Sequence, residues 1–207
     1  MNAGRPVLLS LLALALPSAL FAQDPVALAP SLYKVEIDNA WVRVVRLTVP
    51  PHTRTPAHRH PNEVIVSLSE TPAGVRFRPA AAEVEGKPVD TAVEDVIIEL
   101  KQSPPTSTPI ALDPVVIDPR YHSVLLENRY VRAIRTVLEP GIKSPLHEHP
   151  HYVVVYLTEL HTTMKLGDGR EVDNPRRKGE VGWRDYMKHE TLNIGKETAA
   201  EIQVELK

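Results

Sequence analysis

The 207-residue sequence predicts an all-β protein built twice from one plan. Three observations carry that reading. Short apolar or alternating runs recur between turn signals, and no long stretch free of Pro and Gly has helical periodicity. Proline is abundant at 20 residues, whereas Phe and Trp number two each. Residues 39–70 align on 128–159 without a gap at a constant offset of 89, with 13 of 32 positions identical. Chance gives about two.

Residues 1–22 read as a cleavable secretory leader. Arg5 is followed by an apolar run from Val7 to Leu16 and then by small residues up to Ala22, and the run is too short to span a bilayer comfortably. The mature chain is expected to start near Gln23 and to be periplasmic or secreted. No later stretch is apolar for long enough to cross a membrane. A formal charge of −2, spread over mixed signs, leaves no electrostatic footprint for nucleic acid. Cysteine is absent, so an exported fold must stand on its core, and any metal must be held by His, Asp or Glu.

The two copies are assigned to residues 26–102 and 120–207. Each begins with a β-rich run (41–49; 130–138), then a Pro-bearing turn and a short H-x-H strand at His58 and His60 or His147 and His149. A His-Pro turn and a second apolar strand follow (64–68; 153–157). The copies also end alike, as VIIELK at 96–101 and IQVELK at 202–207. Between them, residues 103–119 (SPPTSTPIALDPVVIDP) read as a stiff Pro-rich connector, with a short strand at Val115–Ile117. Arg43, Arg46, Arg132 and Arg135 recur in both copies and are expected to serve the shared fold.

The chemistry concentrates in the second copy. Strand side chains at i and i+2 share a face, so His147 and His149 can aim at one point while Glu148 faces away. His189, in H-x-x-x-N with Asn193 some forty residues on, is the candidate for the third imidazole. Three protein ligands with open positions is the arrangement of a catalytic metal, not a closed structural one. Imidazole ligation admits Fe, Mn, Ni, Cu or Zn. Neutral ligands leave the ion's double charge uncompensated, so a small anionic ligand or substrate is the expected partner. His151 shares the parity of the pair and is an additional candidate ligand, although Pro150 breaks the strand there.

Asn193 is expected to brace the turn after His189. Glu180, Asp185 and Tyr186 are the candidates for handling protons, and Trp183, Tyr156, Met164 and Met187 for lining the pocket. In the first copy His52 stands where the second has Gly141, and there is no histidine between His60 and His122. The second copy is 17 residues longer between its shared Glu and its ELK ending, and this extra length is read as the source of the third ligand. Only the carboxy-terminal copy is therefore expected to hold metal.

These residues resemble the cupin superfamily, and the duplication resembles a bicupin. Gly141, His147 and His149 match the start of its first motif, G-x5-H-x-H-x3–4-E-x6-G. Gly179, His189 and Asn193 match parts of its second, G-x5-P-x-G-x2-H-x3-N. The motif glutamate is replaced by Val153 or Val154, and the last glycine of the first motif is missing. Asp185 and Met187 stand for the Pro and Gly of the second, with one residue fewer before His189. The resemblance implies two tandem double-stranded β-helix, or jelly-roll, domains with a ligand cavity inside. It leaves two functions open: a metal-dependent, dioxygenase-like enzyme on a small anionic or phenolic substrate, or a non-catalytic metal- or ligand-binding module, either compatible with a homo-oligomer. Fold alone does not choose between them.

Overall fold

A computed structural model describes residues 24–84, 86–101 and 109–207; the predicted leader and the start of the connector lie outside them. The amino-terminal half runs α1 (Pro25–Leu28), β1 (Tyr33–Asp38), β2 (Val42–Val49), β3 (His58–His60), β4 (Glu63–Ser67), β5 (Val75–Arg78), β6 (Ala81–Val84) and β7 (Val93–Leu100). The carboxy-terminal half runs α2 (Pro114–Ile117), β8 (His122–Glu127), β9 (Val131–Leu138), β10 (Lys143–His149), β11 (Tyr152–Tyr156), β12 (Leu160–Leu166), β13 (Glu171–Arg176), β14 (Val181–Arg184), β15 (Met187–Asn193) and β16 (Ala199–Leu206). Among the described residues, strands pair only within their own half. The first forms sheets β1-β2-β7-β4-β5 and β3-β6, and the second β14-β11-β16-β9-β8 and β10-β15-β12-β13.

Alternation along the apolar strands divides two cores. Val64 and Val66 of β4 and Val153 and Val155 of β11 belong to one buried cluster that also holds Val42, Val44, Val131, Ile202 and Val204. That cluster lies between the two five-stranded sheets, with β1 against β14 and β5 against β8. The residues between these valines point the other way. Ile65 packs with Tyr33, Val45 and Ile97 inside the first half; Tyr152, Val154 and Tyr156 pack with Leu138 and Leu160 inside the second. A strand buried on both faces reads as a continuous apolar run, which is how these appear in the sequence.

Residues read as a strand at Val115–Ile117 form a helical turn instead. Asp113 accepts from the Val115 amide at 3.0 Å, and Pro114 sits in the first turn, where its missing N–H costs nothing. Asp24 caps α1 in the same way at 3.1 Å. The offset of 89 thus reaches back to Asp24 and Asp113. The described end of the connector is stitched to β10: the Glu148 carboxylate accepts from the amides of Ala111 (2.7 Å) and Leu112 (3.2 Å), and Glu148 N donates to Leu112 O at 2.8 Å.

The length difference is also placed differently from the sequence reading. Val66 pairs with Val75 where Val155 pairs with Val181, so the added residues are the β12–β13 hairpin, which turns at Gly169 (φ 86°). The strand of the third histidine does have a counterpart, β6. His58 pairs with Val84 across β3–β6, as His147 pairs with His189 across β10–β15. The position opposite His58 is therefore occupied by Val84 and is not a gap. What the hairpin adds is a wall, widening the second sheet from two strands to four.

Candidate metal centre and its cavity

Among the described residues one group of three potential ligands converges: His147, His149 and His189, whose ligand atoms all lie within 4.8 Å of one another. The first two come from the same face of β10, and the antiparallel pairing of β15 sets His189 directly opposite His147. Two strands lead to His189. β14 pairs with β11 in one sheet, β15 with β10 and β12 in the other, and the chain crosses between sheets at Asp185–Tyr186.

Each ring is held through Nδ1. His147 Nδ1 meets the Pro145 carbonyl at 2.6 Å, His149 Nδ1 the Glu205 carboxylate at 2.7 Å, and His189 Nδ1 the Thr191 hydroxyl at 2.9 Å. A carbonyl and a carboxylate only accept, so His147 and His149 carry the proton on Nδ1 and present the Nε2 lone pair. All three Nε2 atoms are buried without a hydrogen-bond partner. Buried polar atoms without partners are rare and call for an explanation. Burial, the first cause for each, holds the pKa of His147 low and those of His149 and His189 well below the ordinary histidine value, so the rings are neutral at pH 7. Three convergent, neutral, unpaired imidazole nitrogens fit a divalent metal ion.

The cavity beside them has a free volume of only about 30 Å³, room for roughly two waters. Tyr156 and Met164 line it, as the sequence reading expected, together with His122, Tyr152, Arg184, Glu201 and Gln203. His122 packs edge-on to His147 with ring centroids 5.1 Å apart, and burial lowers its pKa to about 4. Its counterpart Tyr33 stacks the same way on His58 at 5.9 Å. Burial pushes Glu201 up to about 7, against the pull of Arg184 and of a 2.8 Å hydrogen bond from Gln203. Neither His122 nor Glu201 was singled out from the sequence; the clue to Glu201 is a charge at an inward position of β16.

Other sequence candidates lie elsewhere. His151 is not at the metal cluster: its ring stacks with Trp41 and Trp183, at 5.4 and 5.8 Å between centroids, where the halves meet. Trp183 belongs to this stack, 5.4 Å from Trp41, not to the cavity lining, because its position on β14 pairs with outward-facing Val153. Asp185 is exposed and accepts from Trp183 Nε1 at 3.1 Å. Glu180 lies 3.3 Å from Arg176 on an open groove, and Tyr186 is exposed beside Glu148. None of the three lines the cavity beside the imidazoles. Met187 packs just behind the cavity, taking a hydrogen bond from Tyr152 Oη at 3.4 Å. Asn193 donates to the carbonyls of Leu138 and Glu197, both at 2.9 Å, and accepts from Gly195 N, tying down the end of β15. His52 is exposed and keeps the left-handed conformation (φ 59°) of its counterpart Gly141 (φ 77°).

No family model matches the chain, and no curated protein does. Among solved structures, AerE from Microcystis aeruginosa is similar over 85% of this chain and 97% of its own, at 12% identity and a TM-score of 0.56. Bacillus subtilis oxalate decarboxylase is similar over 84% of this chain and 75% of its own, at 12% identity and a TM-score of 0.53. A cupin domain from Bordetella pertussis Tohama I covers 42% of this chain and 91% of its own, at 23% identity and a TM-score of 0.39. The chain has a cupin fold. No helix among the described residues is long and apolar enough to cross a membrane.

Proposed function

We propose that the chain is an exported tandem cupin, with units at residues 26–102 and 120–207, in which the second unit holds one divalent metal on His147, His149 and His189. The observation that carries this reading is the set of three buried, unpartnered Nε2 atoms facing one another. A bound divalent ion supplies a Lewis acid with open coordination positions. The chain's own residues set its surroundings. The rings are neutral and pre-oriented through Nδ1, and the small cavity excludes bulk water. Glu201 can hold or release a proton near neutral pH. That carboxyl, inside the cavity, favours an enzyme acting on a small anionic or phenolic substrate over a binding module. The slight free volume favours the module, and it limits either function to a ligand of few atoms.

Metal titration of the purified protein tests the site. One ion per chain is expected, abolished by His149→Ala with the fold kept, as judged by circular dichroism. Stoichiometric metal in that variant would sink the proposal, as would two ions per chain halved by His58→Ala. For the two functions, Glu201→Gln separates them: an enzyme loses turnover of a small carboxylate or phenol while still binding it.

A further inference from the structure

One feature of the site departs from its counterpart in the first half. Asp113, Arg132 and Glu205 form a continuous chain of charges that ends on the Nδ1 edge of His149, and the first half has no such ending among its described residues. Arg132 Nη1 donates to Asp113 at 2.6 Å and Arg132 Nε to Glu205 at 2.7 Å, and the other Glu205 oxygen meets His149 Nδ1 at 2.7 Å. Glu205 is 2% exposed and His149 fully buried. In the first half Asp24, Arg43 and Glu99 repeat the ion pairs, at 2.9 and 3.6 Å. There the chain stops at Glu99, because His60 turns its Nδ1 to the Pro61 carbonyl at 2.9 Å.

The geometry points to Glu205 as the positioning residue of the metal centre, clamped by Arg132 and, through it, by the α2 cap Asp113. This rests on the metal-site reading above and deepens it. Three neutral imidazoles bring no negative charge to a divalent ion, and Val153 and Val154 stand where a carboxylate ligand is expected from the motif. Glu205 supplies that charge one imidazole away from the ion, fixes the His149 tautomer and makes its Nε2 a stronger donor. Arg132 holds the Glu205 carboxylate through Oε2 and leaves Oε1 facing His149 Nδ1. Because Asp113 also caps α2, the end of the connector is tied to the same centre.

The experiment compares zinc affinity, by competition with a chromophoric chelator, and the visible spectrum of the cobalt(II)-loaded protein. Glu205→Gln is expected to weaken zinc binding about 10- to 100-fold and to change the cobalt spectrum. Arg132→Lys, which keeps the charge but cannot bridge two carboxylates, is expected to do the same to a smaller degree and serves if Glu205→Gln loses its cooperative melt. Glu99→Gln and Arg43→Met are internal controls, since they break the same ion pairs where no imidazole completes the chain. They should lower the melting temperature and leave zinc affinity and the cobalt spectrum unchanged. Wild-type affinity and spectrum in both Glu205→Gln and Arg132→Lys would overturn the inference, as would an equal loss in Glu99→Gln. A wild-type protein whose zinc affinity is unaffected by His147→Ala would instead overturn the three-histidine site itself.

Discussion

Replacing Glu201 by Gln should stabilise the metal-free protein, and by an amount that grows with pH. Glu201 points inward from β16, faced by Arg184 from β14, Arg176 from β13, Tyr152 and Tyr156 from β11 and Gln203 on its own strand. Burial raises its folded value from an ordinary 4.5 to about 7. Between those values the folded state binds more protons than the unfolded one, so stability falls as pH rises from 4.5 and the loss is complete above 7. At about 1.4 kcal/mol per pH unit, the whole interval sets an upper limit of about 3 kcal/mol. For a chain of this size that is a difference of about 6–12 °C in melting temperature. Gln resembles the protonated acid, so wild type and variant should melt together near pH 4.5 and diverge up to pH 8. Thermal melts of both proteins across that range, followed by circular dichroism, read the difference directly, because all other titrations cancel. A gap that does not change with pH would refute the reasoning.

Further outcomes are expected elsewhere in the molecule. His122, held at about 4 by burial and by His147, has the opposite sign: its contribution is present above 6.5 and lost as pH falls toward 4, at most about 3 kcal/mol. His122→Tyr, the residue its counterpart Tyr33 already uses, should flatten the acid limb of the metal-free stability profile; an unchanged limb would count against it. Trp41→Ala should cost up to about 3 kcal/mol by removing the ring that stacks on His151 and Trp183, measured by urea denaturation, and a loss below 0.5 kcal/mol would contradict the packing. The leader reading expects an intact mass beginning near Gln23 for protein recovered from the periplasm, whereas a full-length cytoplasmic species would end it.

The parts of the site that were legible in the sequence are those fixed by local periodicity. H-x-H must share a strand face, and the H-x-x-x-N pattern singled out His189 as the third imidazole, which is the pairing of β10 with β15. Residues brought in by sheet order were not legible. Glu205 reaches His149 because β16 lies between β9 and β11, and nothing local to ELK announces that its Glu points inward. A signal existed all the same: the shared ending of the copies contains both Glu99 and Glu205, and the offset of 89 extends to Asp24 and Asp113. Trp183 and Asp185 fall outside the cavity because the chain passes from one sheet to the other at Asp185–Tyr186, and no local pattern marks that corner. The role given to the extra length failed for a related reason, since only the register shows that Val84, not a gap, stands opposite His58.

The stacking of the halves carries a consequence for assembly. Tyr130 lies against Phe77 at 5.6 Å as Trp41 lies against Trp183 at 5.4 Å, and in the repeat Tyr130 corresponds to Trp41 while Phe77 has the strand position of Trp183. The contact is thus self-complementary in the manner of a twofold dimer, except that both partners belong to one polypeptide. Covalent linkage holds the partners together at any dilution and frees each to diverge. One member carries the three-imidazole group and the extra wall, while the other is a permanent mate for the same apolar face. Any larger assembly must therefore recruit a different surface, because the one a lone copy would offer to its twin is already occupied.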